Sequence, residues 1–516
     1  MLLVLVFEAA RRGIGWILAA ITLVISSYPF VSPWLPGVLH GRGYGLERMV
    51  LFLTTGTEGI YGVPIGVAAS YIVTFTVFGA LLARFGAGDF FFELAVRVTR
   101  GVRAASAKAA VIFSALIGMV SGSAAGNVAV TGTLTIPIMK RDGYAPHQAA
   151  AIEAVASTGG QIMPPVMGAA AFIMAEILGI SYTQVMLTAL LPAILFFASA
   201  FFVVHLQGVK NGVEASEIGS RDGRSLGRLI WDGAPFIAAF AVLIALMLRG
   251  YSPFKAALWG MVALVALDLL RRRRIDRAFL GRLAGGIADG GLGVVTISAA
   301  CAAAGIIAGT LGVTGLGSKI ALLIETASFG SLFLALLFTM IASIVLGMGL
   351  PTTAAYLILA TVVAPALVRL GVPPLTAHFF VFYYGCISTI TPPVALAAYV
   401  AGGIAEADVN KTGWTAARYA TTSFVLPFAF VFAPALMLAG SLAENATAVA
   451  TGLAGVFGVA VGVVGCLTRP LGPVPRALAL IAGAALLFQG TISALFGAAA
   501  LAAVVVLSRR VPARAG

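Results

Sequence analysis

The chain has 516 residues, of which 60% are hydrophobic and only 10% are charged. Soluble domains carry roughly 25% charged residues, so this composition excludes a soluble globular protein and indicates that a lipid bilayer surrounds the chain. The net charge of +13 comes from short Lys and Arg clusters between apolar runs, which is typical of loop anchors at a membrane and argues against a nucleic-acid partner.

In chain order, the apolar runs predict roughly 12 to 15 membrane-embedded segments, given that a span takes about 20 residues. An amphipathic helix at the membrane interface is expected over 86–108, and four consecutive arginines at 271–274 favour a cytoplasmic loop. We expect six regions: N-terminal helices over 1–54, a scaffold helix and the amphipathic helix over 55–108, a first repeat over 109–206, polar loops and scaffold helices over 207–287, a second repeat over 288–440, and extra helices over 441–516.

The sequence carries no motif of an enzyme. It lacks H-E-x-x-H, a Walker A stretch, a Cys-x-x-Cys pair and a Ser/His/Asp cluster, and its three cysteines lie in apolar runs without metal-ligand spacing. We therefore expect a protein that is not an enzyme and holds no cofactor. Without a Walker A stretch the chain does not hydrolyse ATP itself, so any energy-driven process would need an ion gradient, or an ATPase on another chain.

The two halves of the chain repeat one another. Four pairs of landmarks share one offset of 228 residues: Pro137 and Pro365, Gly143 and Gly371, Pro146 and Pro374, Pro164 and Pro392. In each half, two apolar arms flank a tip of small and hydroxyl residues, and a later helix is broken by a Ser/Thr/Gly-rich stretch that ends in Pro-Pro. Helix packing and kinking would explain one such tip. Their repetition in register favours the broken helices of a secondary transporter, whose unwound backbone lines a binding site.

Glu153 lies in an apolar helix that approaches the first break. An ionisable residue at membrane depth is a functional candidate, here for proton coupling. An ion pair near the interface, with Lys140 or Arg141 as the partner, is an equal alternative. Interface pairing is favoured for three other acids near spans: Glu58, Asp289 and Glu325.

The motifs at the repeat landmarks resemble the large membrane subunit of tripartite ATP-independent periplasmic (TRAP) transporters. They are Ser121-Gly122-Ser123, Ile136-Pro137, Gly143-Tyr144 and the run 157–165 in the first half, and GMGLPTT at 347–353 and TPPV at 391–394 in the second. More narrowly, TEGIYGVP at 57–64 and GGQIMPP at 159–165 are similar to the subtype in which small and large subunits are fused. On this resemblance, 1–54 would be the remnant of a fused small subunit.

The resemblance implies an all-α polytopic membrane protein, specifically an inverted-repeat, elevator-type transporter with two re-entrant hairpins and two broken helices. It also implies secondary active uptake of an organic acid, mostly a carboxylate, which a periplasmic substrate-binding protein delivers and a sodium gradient drives. The location would be the inner (cytoplasmic) membrane of a bacterium or archaeon. Sodium ions would be coupling ions rather than a resident cofactor.

Carried over by motif, substrate and ion binding fall on the two hairpin tips and the two breaks. The first tip and break contribute Ser121, Gly122, Ser123, Asn127, Ser157, Thr158, Gly159, Pro164 and Pro165. The second tip and break contribute Gly349, Pro351, Thr352, Thr353, Ser388, Thr389, Thr391, Pro392 and Pro393. Sodium itself is expected at Ser121, Ser123, Thr352 and Thr353.

Other interpretations stay open at this point. Uptake could be coupled to protons through Glu153 instead of sodium, or the chain could be the permease of an ATP-driven importer. A membrane scaffold without transport would leave the duplicated broken helices unexplained. The first 54 residues hold fewer spans than a complete small subunit, so either the fusion is shortened or the start codon has been placed too late.

Overall fold

The structure is a computed structural model that describes residues 1–215 and 225–510, and within these residues it forms 26 α-helices. Residues 216–224 and 511–516, which belong to the predicted regions 207–287 and 441–516, lie outside the described part. The helices up to the middle of the chain are α1 (Leu2–Gly13), α2 (Trp16–Val31), α3 (Leu46–Thr55), α4 (Val63–Val67), α5 (Val73–Arg84), α6 (Ala87–Thr99), α7 (Ala105–Ser121), α8 (Ala124–Arg141), α9 (Pro146–Gly160), α10 (Ala169–Leu178), α11 (Tyr182–Lys210), α12 (Leu226–Asp232), α13 (Ala234–Leu248) and α14 (Pro253–Arg272). The later helices are α15 (Arg277–Thr314), α16 (Leu316–Ala327), α17 (Leu332–Gly347), α18 (Thr352–Val362), α19 (Ala364–Arg369), α20 (Pro374–Ile387), α21 (Leu396–Ala405), α22 (Val409–Tyr419), α23 (Thr421–Phe432), α24 (Leu442–Val464), α25 (Pro473–Leu487) and α26 (Thr491–Arg510).

Eight helical spans among the described residues are long and apolar enough to cross a membrane, and α12 with α13 would form a ninth span bent by 62°. About 20 residues suffice for the hydrocarbon core, because an α-helix rises about 1.5 Å per residue. Five shorter apolar helices accompany these spans: α7, α10, α17, α21 and α25. The predicted fold class, an all-α polytopic membrane protein, is confirmed.

The duplicated landmarks stand at equivalent places in two sets of helices. Hairpin α7–α8 is followed by α9 and, after a break, by α10; hairpin α17–α18 is followed by α19, α20 and, after a break, by α21. Glycines with positive φ turn the two tips, Gly122 at 63° and Gly349 at 72°, where a side chain would strain the backbone. Pro146 and Pro374 start α9 and α20, because proline's missing N–H costs no helical hydrogen bond there.

Contacts within the chain group it into two compact units. The first comprises Met1–Gly88, Gly168–Val185 and Ile230–Ser388, and the second comprises Asp89–Met167, Met186–Leu229 and Thr389–Gly516. In the first unit, α10 packs on α18 and α20; in the second, α21 packs on α8 and α9. Each half-helix that follows a break therefore packs on the hairpin and broken helix of the other repeat. The division into six regions stays a prediction.

Close backbone packing joins each hairpin to the broken helix of its own repeat. In the second unit, a Cβ built on Gly118 of α7 would lie 2.6 Å from the Cα atom of Gly160, the last residue of α9. In the first unit, a Cβ built on Gly347 of α17 would lie 2.7 Å from the Oγ atom of Ser388, directly after α20. Small residues are typical of such crossings, because membrane helices associate through van der Waals packing rather than exclusion of water.

The amphipathic segment predicted over 86–108 forms the shorter helix α6 and a connection to α7. Phe90 and Phe91 are buried, whereas Val98 is 62% exposed. The helix ends at Thr99, and Gly101 follows with a φ of 74°, a left-handed conformation that commonly terminates helices. The position of α6 at the membrane interface stays a prediction.

Helices α24 and α25, in the second unit, pack through glycines. A Cβ on Gly458 of α24 would lie 3.0 Å from the Cα atom of Gly483 on α25, and one on Gly455 would lie 2.9 Å from the Gly483 carbonyl oxygen. A capping box starts α24, because Ser441 and Glu444 each accept the other's backbone N–H through their side chains. These contacts give the C-terminal region a packing role.

Replacement of Gly160 with alanine is expected to destabilise the protein, because the new Cβ would overlap the backbone of Gly118. Overpacking of this kind costs about 1–3 kcal/mol. Sodium dodecyl sulphate titration of the detergent-solubilised protein, followed by circular dichroism, measures the free energy of unfolding. Gly403→Ala is the matched control, since no atom of the described residues outside its own helix lies within 4 Å of its Cβ position. Equal stability of the two variants would contradict the close crossing.

Candidate functional site

The first hairpin turns at Ser121, Gly122 and Ser123. Gly122 ends α7 in the left-handed conformation, and its N–H donates to the Gly118 carbonyl at 3.3 Å. Ser123 caps α8, since its Oγ atom accepts a hydrogen bond from the Gly126 N–H at 3.2 Å. Both serines are exposed. This tip therefore presents two hydroxyl groups on an open turn.

Asn127 lies fully buried one turn into α8. Its Nδ2 atom donates to the carbonyl of Ser114 at 2.9 Å, while its Oδ1 atom has no hydrogen-bond partner in the described part of the chain. A buried amide oxygen without a partner is costly and rare. A carbonyl oxygen is also a ligand that hard cations prefer, so Asn127 offers a free ligand atom.

Glu153 lies at the centre of a buried group of hydroxyl residues on α7, α8 and α9. Its Oε1 atom accepts hydrogen bonds from Ser114 at 2.6 Å and from Ser157 at 3.0 Å. Thr131 donates to the same oxygen, and Thr135 donates to Oε2. All five side chains, named here the Glu153 cluster, are at most 2% exposed. An acid at this depth needs such partners, because burial of an unsatisfied carboxyl group costs several kcal/mol.

Within the described residues, no lysine or arginine forms an ion pair with Glu153. The Lys140 ammonium instead donates to the carbonyl of Ala405 at 3.0 Å. An ion pair of the kind expected near the interface is found for Asp289. Its Oδ2 atom lies 2.5 Å from the Nε atom of Arg84, and both side chains are partly exposed. Among the described residues, Glu153 thus has hydroxyl partners and no cationic one.

The first break follows Gly160. Just before it, Gly159 packs against the rings of Phe196 and Phe197 on α11 and leaves no room for a side chain. The chain then passes through Pro164 and Pro165, whose peptide bond is cis, and α10 starts at Ala169. Residues 161–168 therefore interrupt the helix. The break begins later than the predicted stretch 157–165, since Ser157, Thr158 and Gly159 still lie in α9.

The second break runs from the 3₁₀ turn Ser388–Ile390 to the cis-linked Pro392 and Pro393. In the second unit, the hydroxyl oxygens of Thr158 and Thr389 lie 3.3 Å apart, within hydrogen-bond distance, and both side chains are buried. The backbone carbonyl of Thr391 accepts a hydrogen bond from the Ala395 N–H at 3.2 Å just before α21 begins. The last turn of α9 and the second break therefore meet at a pair of threonines.

The second hairpin tip, in the first unit, differs from the first. Gly349 turns the chain, Pro351 precedes α18, and Thr352 and Thr353 form its first turn. Both threonines are only 7% exposed, in contrast to the open serines of the first tip. The hydroxyl group of Ser388 donates to the carbonyl three residues earlier, at 2.8 Å.

The predicted site residues thus fall into both units. The second unit holds Ser121, Gly122, Ser123, Asn127, Ser157, Thr158, Gly159, Pro164, Pro165, Thr389, Thr391, Pro392 and Pro393. The first unit holds Gly349, Pro351, Thr352, Thr353 and Ser388. The structure brings Thr158 and Thr389 together and places Ser157 on Glu153. The role of these residues as sodium or substrate ligands stays a prediction.

Sequence reasoning missed Ser114, Thr131 and Thr135, which surround Glu153. The available signal was their helical spacing. Thr131 and Thr135 follow Asn127 at intervals of four residues, which places all three on one face of α8. Ser157 stands four residues after Glu153 in the same way.

A duplicated hairpin and broken helix, with buried hydroxyl groups at the breaks of a polytopic helical protein, define a membrane transporter permease. The profile described as "Tripartite ATP-independent periplasmic transporter, DctM component" matches residues 1–445. The chain therefore belongs to the large-permease family of TRAP transporters, and it is not an enzyme. The match ends in the first turn of α24.

Three relatives are similar over much of the chain. The uncharacterized protein y4mL of Sinorhizobium fredii is 25% identical, over 70% of this chain and 85% of its own length. The putative TRAP transporter large permease protein of Haemophilus influenzae is 22% identical, over 70% and 84%. The isethionate TRAP transporter permease protein DctMQ of Oleidesulfovibrio alaskensis is 23% identical, over 57% and 45%.

A solved structure shares the fold. The crystal structure of the Alcanivorax borkumensis YdaH transporter, described as revealing an unusual topology, has a TM-score of 0.55 and 16% identity. The similarity covers 80% of this chain and 97% of that one. At this identity the likeness concerns the fold alone.

The contact between Thr158 and Thr389 is expected to stabilise the second unit. Thr158→Val and Thr389→Val each remove one hydroxyl group while keeping the shape of the side chain. A double-mutant cycle on the free energy of unfolding should give a coupling of about 0.5–1.5 kcal/mol, the usual net value of one hydrogen bond. Thr447→Val, an exposed change on α24, replaces Thr158→Val in the control cycle and should show no coupling with Thr389→Val. Zero coupling between Thr158 and Thr389 would contradict the contact.

Proposed function

We propose that this permease takes up a small organic acid by secondary active transport driven by a sodium gradient. Family membership implies a periplasmic binding protein as the partner and a small molecule as the substrate. The inner (cytoplasmic) membrane is the location we propose for this multi-pass protein. The observation that carries the proposal is the meeting of the two broken helices at Thr158 and Thr389, since paired broken helices are where secondary transporters bind substrate and ions.

Sodium coupling is supported by the oxygen atoms at the hairpin tips and breaks. The Asn127 Oδ1 atom is buried without a partner, and Ser123 offers a hydroxyl group one turn away on the open tip. Hard cations prefer such hydroxyl and carbonyl ligands, and unwound helix ends add backbone carbonyls. We propose sodium ligands at both tips: Ser121, Ser123, Thr352 and Thr353.

An organic anion as substrate is supported by the starts of α10 and α21. Their N-cap residues, Gly168 and Ala395, provide no side-chain hydrogen bond to the first turn. The first N–H groups of each half-helix can therefore bind a carboxylate, which the positive end of the helix dipole attracts. The printed name of one relative states isethionate, which is also an organic anion.

We propose an elevator movement for the transport cycle, in which the two hairpins and two broken helices carry the substrate past the remaining helices. The duplication of hairpin, broken helix and half-helix supports this proposal, because many secondary transporters are built from internal repeats with discontinuous helices. The fused small/large subtype is proposed on the sequence motifs at 57–64 and 159–165.

Proteoliposomes test this proposal, with the cognate binding protein outside and its own bound ligand as the transported substrate. Accumulation should require both the binding protein and an inward sodium gradient. Accumulation that needs ATP, or that ignores sodium and follows only a pH gradient, would overturn the sodium proposal.

Ser123→Ala and Thr352→Ala are each expected to weaken sodium activation of uptake. Loss of one ligand worth about 1 kcal/mol should raise the sodium concentration for half-maximal uptake about fivefold. Thr447→Ala removes an exposed hydroxyl group that donates only within its own helix, so its sodium activation should match that of the wild type. Unchanged activation in both tip variants would remove these residues from the sodium site.

A further inference from the structure

The hydroxyl groups of the Glu153 cluster have a property that the proposed sodium and substrate sites do not use. Several of them have a second acceptor besides the carboxyl group. The Thr131 Oγ1 atom lies 2.8 Å from the carbonyl of Asn127, and the Thr135 Oγ1 atom lies 3.0 Å from the carbonyl of Thr131. The Ser114 Oγ atom lies 3.2 Å from Thr131 Oγ1. These three donors can turn away from Glu153 without losing a hydrogen bond.

Such a rotation of the hydroxyl groups allows the carboxyl group of Glu153 to bind a proton. While the hydroxyl groups donate to it, Glu153 is satisfied as a carboxylate. When Thr135 donates to the backbone carbonyl instead, its oxygen becomes an acceptor for a proton on Glu153 Oε2. A buried polar network is stable only when every member has a partner. This network meets that condition with the proton bound and with the proton released.

The second repeat shows that helix packing does not require these polar groups. At the same offset of 228 residues, the equivalents are Val381 for Glu153, Leu359 for Thr131 and Val363 for Thr135. All three are at most 1% exposed, on or directly after helices α18 and α20, which pack on each other and on α17. The second repeat thus places hydrocarbon side chains at these three positions, although α17 keeps a buried serine, Ser343, where α7 has Ser114. Folding alone therefore does not explain an acid at this position.

No fixed charge of the described chain balances Glu153 as a carboxylate. Helix α9 packs on α7, α8, α21 and α22, and through Gly159 on α11. The ionisable groups on these helices in the second unit are Lys108, Lys140, Arg141, His147, His205, Lys210, Tyr399, Lys411, Arg418 and Tyr419. None of them forms a hydrogen bond or ion pair with Glu153; Lys140, Lys210 and Arg418 donate to backbone carbonyls, and Lys108 lies over the Phe201 ring. A buried carboxyl group without a cation becomes neutral by binding a proton.

We propose that Glu153 is a reversible proton-binding site, which makes the proton a second coupling ion beside sodium. The carboxylate takes a proton from water on one side of the membrane and forms the O–H bond of a carboxylic acid. Breaking that bond returns the proton to water on the other side, and no other bond changes. The part played in uptake rests on the proposed function, whereas the binding of the proton does not.

Infrared spectroscopy of the detergent-solubilised protein tests proton binding without transport. The wild type should show a carbonyl stretch of a buried carboxylic acid that disappears and returns as the pH is raised and lowered. Glu153→Gln should lack this band, whereas Glu325→Gln should keep it. A wild type without the band, or a band that persists in Glu153→Gln, would overturn the proposal.

Two further measurements separate a proton site from other interpretations. Thr135→Val, which introduces the side-chain type of Val363, should shift the frequency of the band without removing it, because one hydrogen-bond partner is lost. An unshifted band would show that the acid observed lies elsewhere.

Sodium chloride, compared with choline chloride at constant pH, should leave the band in place. Its loss with sodium alone would make sodium the ligand of Glu153 and overturn the proposal.

The uptake assay then tests the coupling. An inward proton gradient imposed on a fixed sodium gradient should accelerate uptake by the wild type, and Glu153→Gln should lose that acceleration while still responding to sodium. Retained acceleration in Glu153→Gln would contradict the proposal. If sodium drives no uptake at all, the proposed function fails, while the infrared band still decides whether Glu153 binds a proton.

Discussion

The backbone contact between Gly118 and Gly160 is the constraint on which the arrangement of the first hairpin depends. With no side chain between them, α7 and α9 approach closely enough for the Ser114 hydroxyl group on α7 to reach the Glu153 carboxyl group on α9. Asn127 lies against the same glycine, since a Cβ on Gly118 would lie 2.7 Å from its Nδ2 atom. One contact therefore positions the buried amide, the acid and the end of the helix before the first break.

The two repeats share this crossing and bury different chemistry beneath it. In the second repeat the crossing is made by Gly347 and Ser388, and the equivalents of Glu153, Thr131 and Thr135 are hydrocarbon side chains. The hairpin tips also differ in exposure, since the serines of the first tip are exposed and the threonines of the second tip are buried. A duplicated backbone has thus been kept where it sets the helix crossings, while the side chains at the tips and beneath the crossings have diverged.

The hairpins, turns and breaks could be predicted from the sequence because prolines and glycines act on the backbone where they stand. Gly143 and Pro146 make a turn and start a helix whatever surrounds them. The Glu153 cluster could not be predicted in this way. A spacing of four residues reveals which face of α8 carries Thr131 and Thr135, but only the packing of three helices shows that this face meets the acid. The exchange of α10 and α21 between repeats was equally hidden, since the sequence repeats would read the same if each half-helix packed on its own hairpin.

That exchange also sets an order for biosynthesis. A Cβ on Gly132 would lie 3.4 Å from both the Glu153 side chain and Ile404, so α21 covers the stem of the acid from outside its own repeat. The ribosome reaches Ile404 only after it has made the whole second hairpin. Until then the first hairpin and its acid lie in the membrane without their final neighbour. The packing around the Glu153 cluster is therefore completed only when α21 is synthesised, long after the cluster itself.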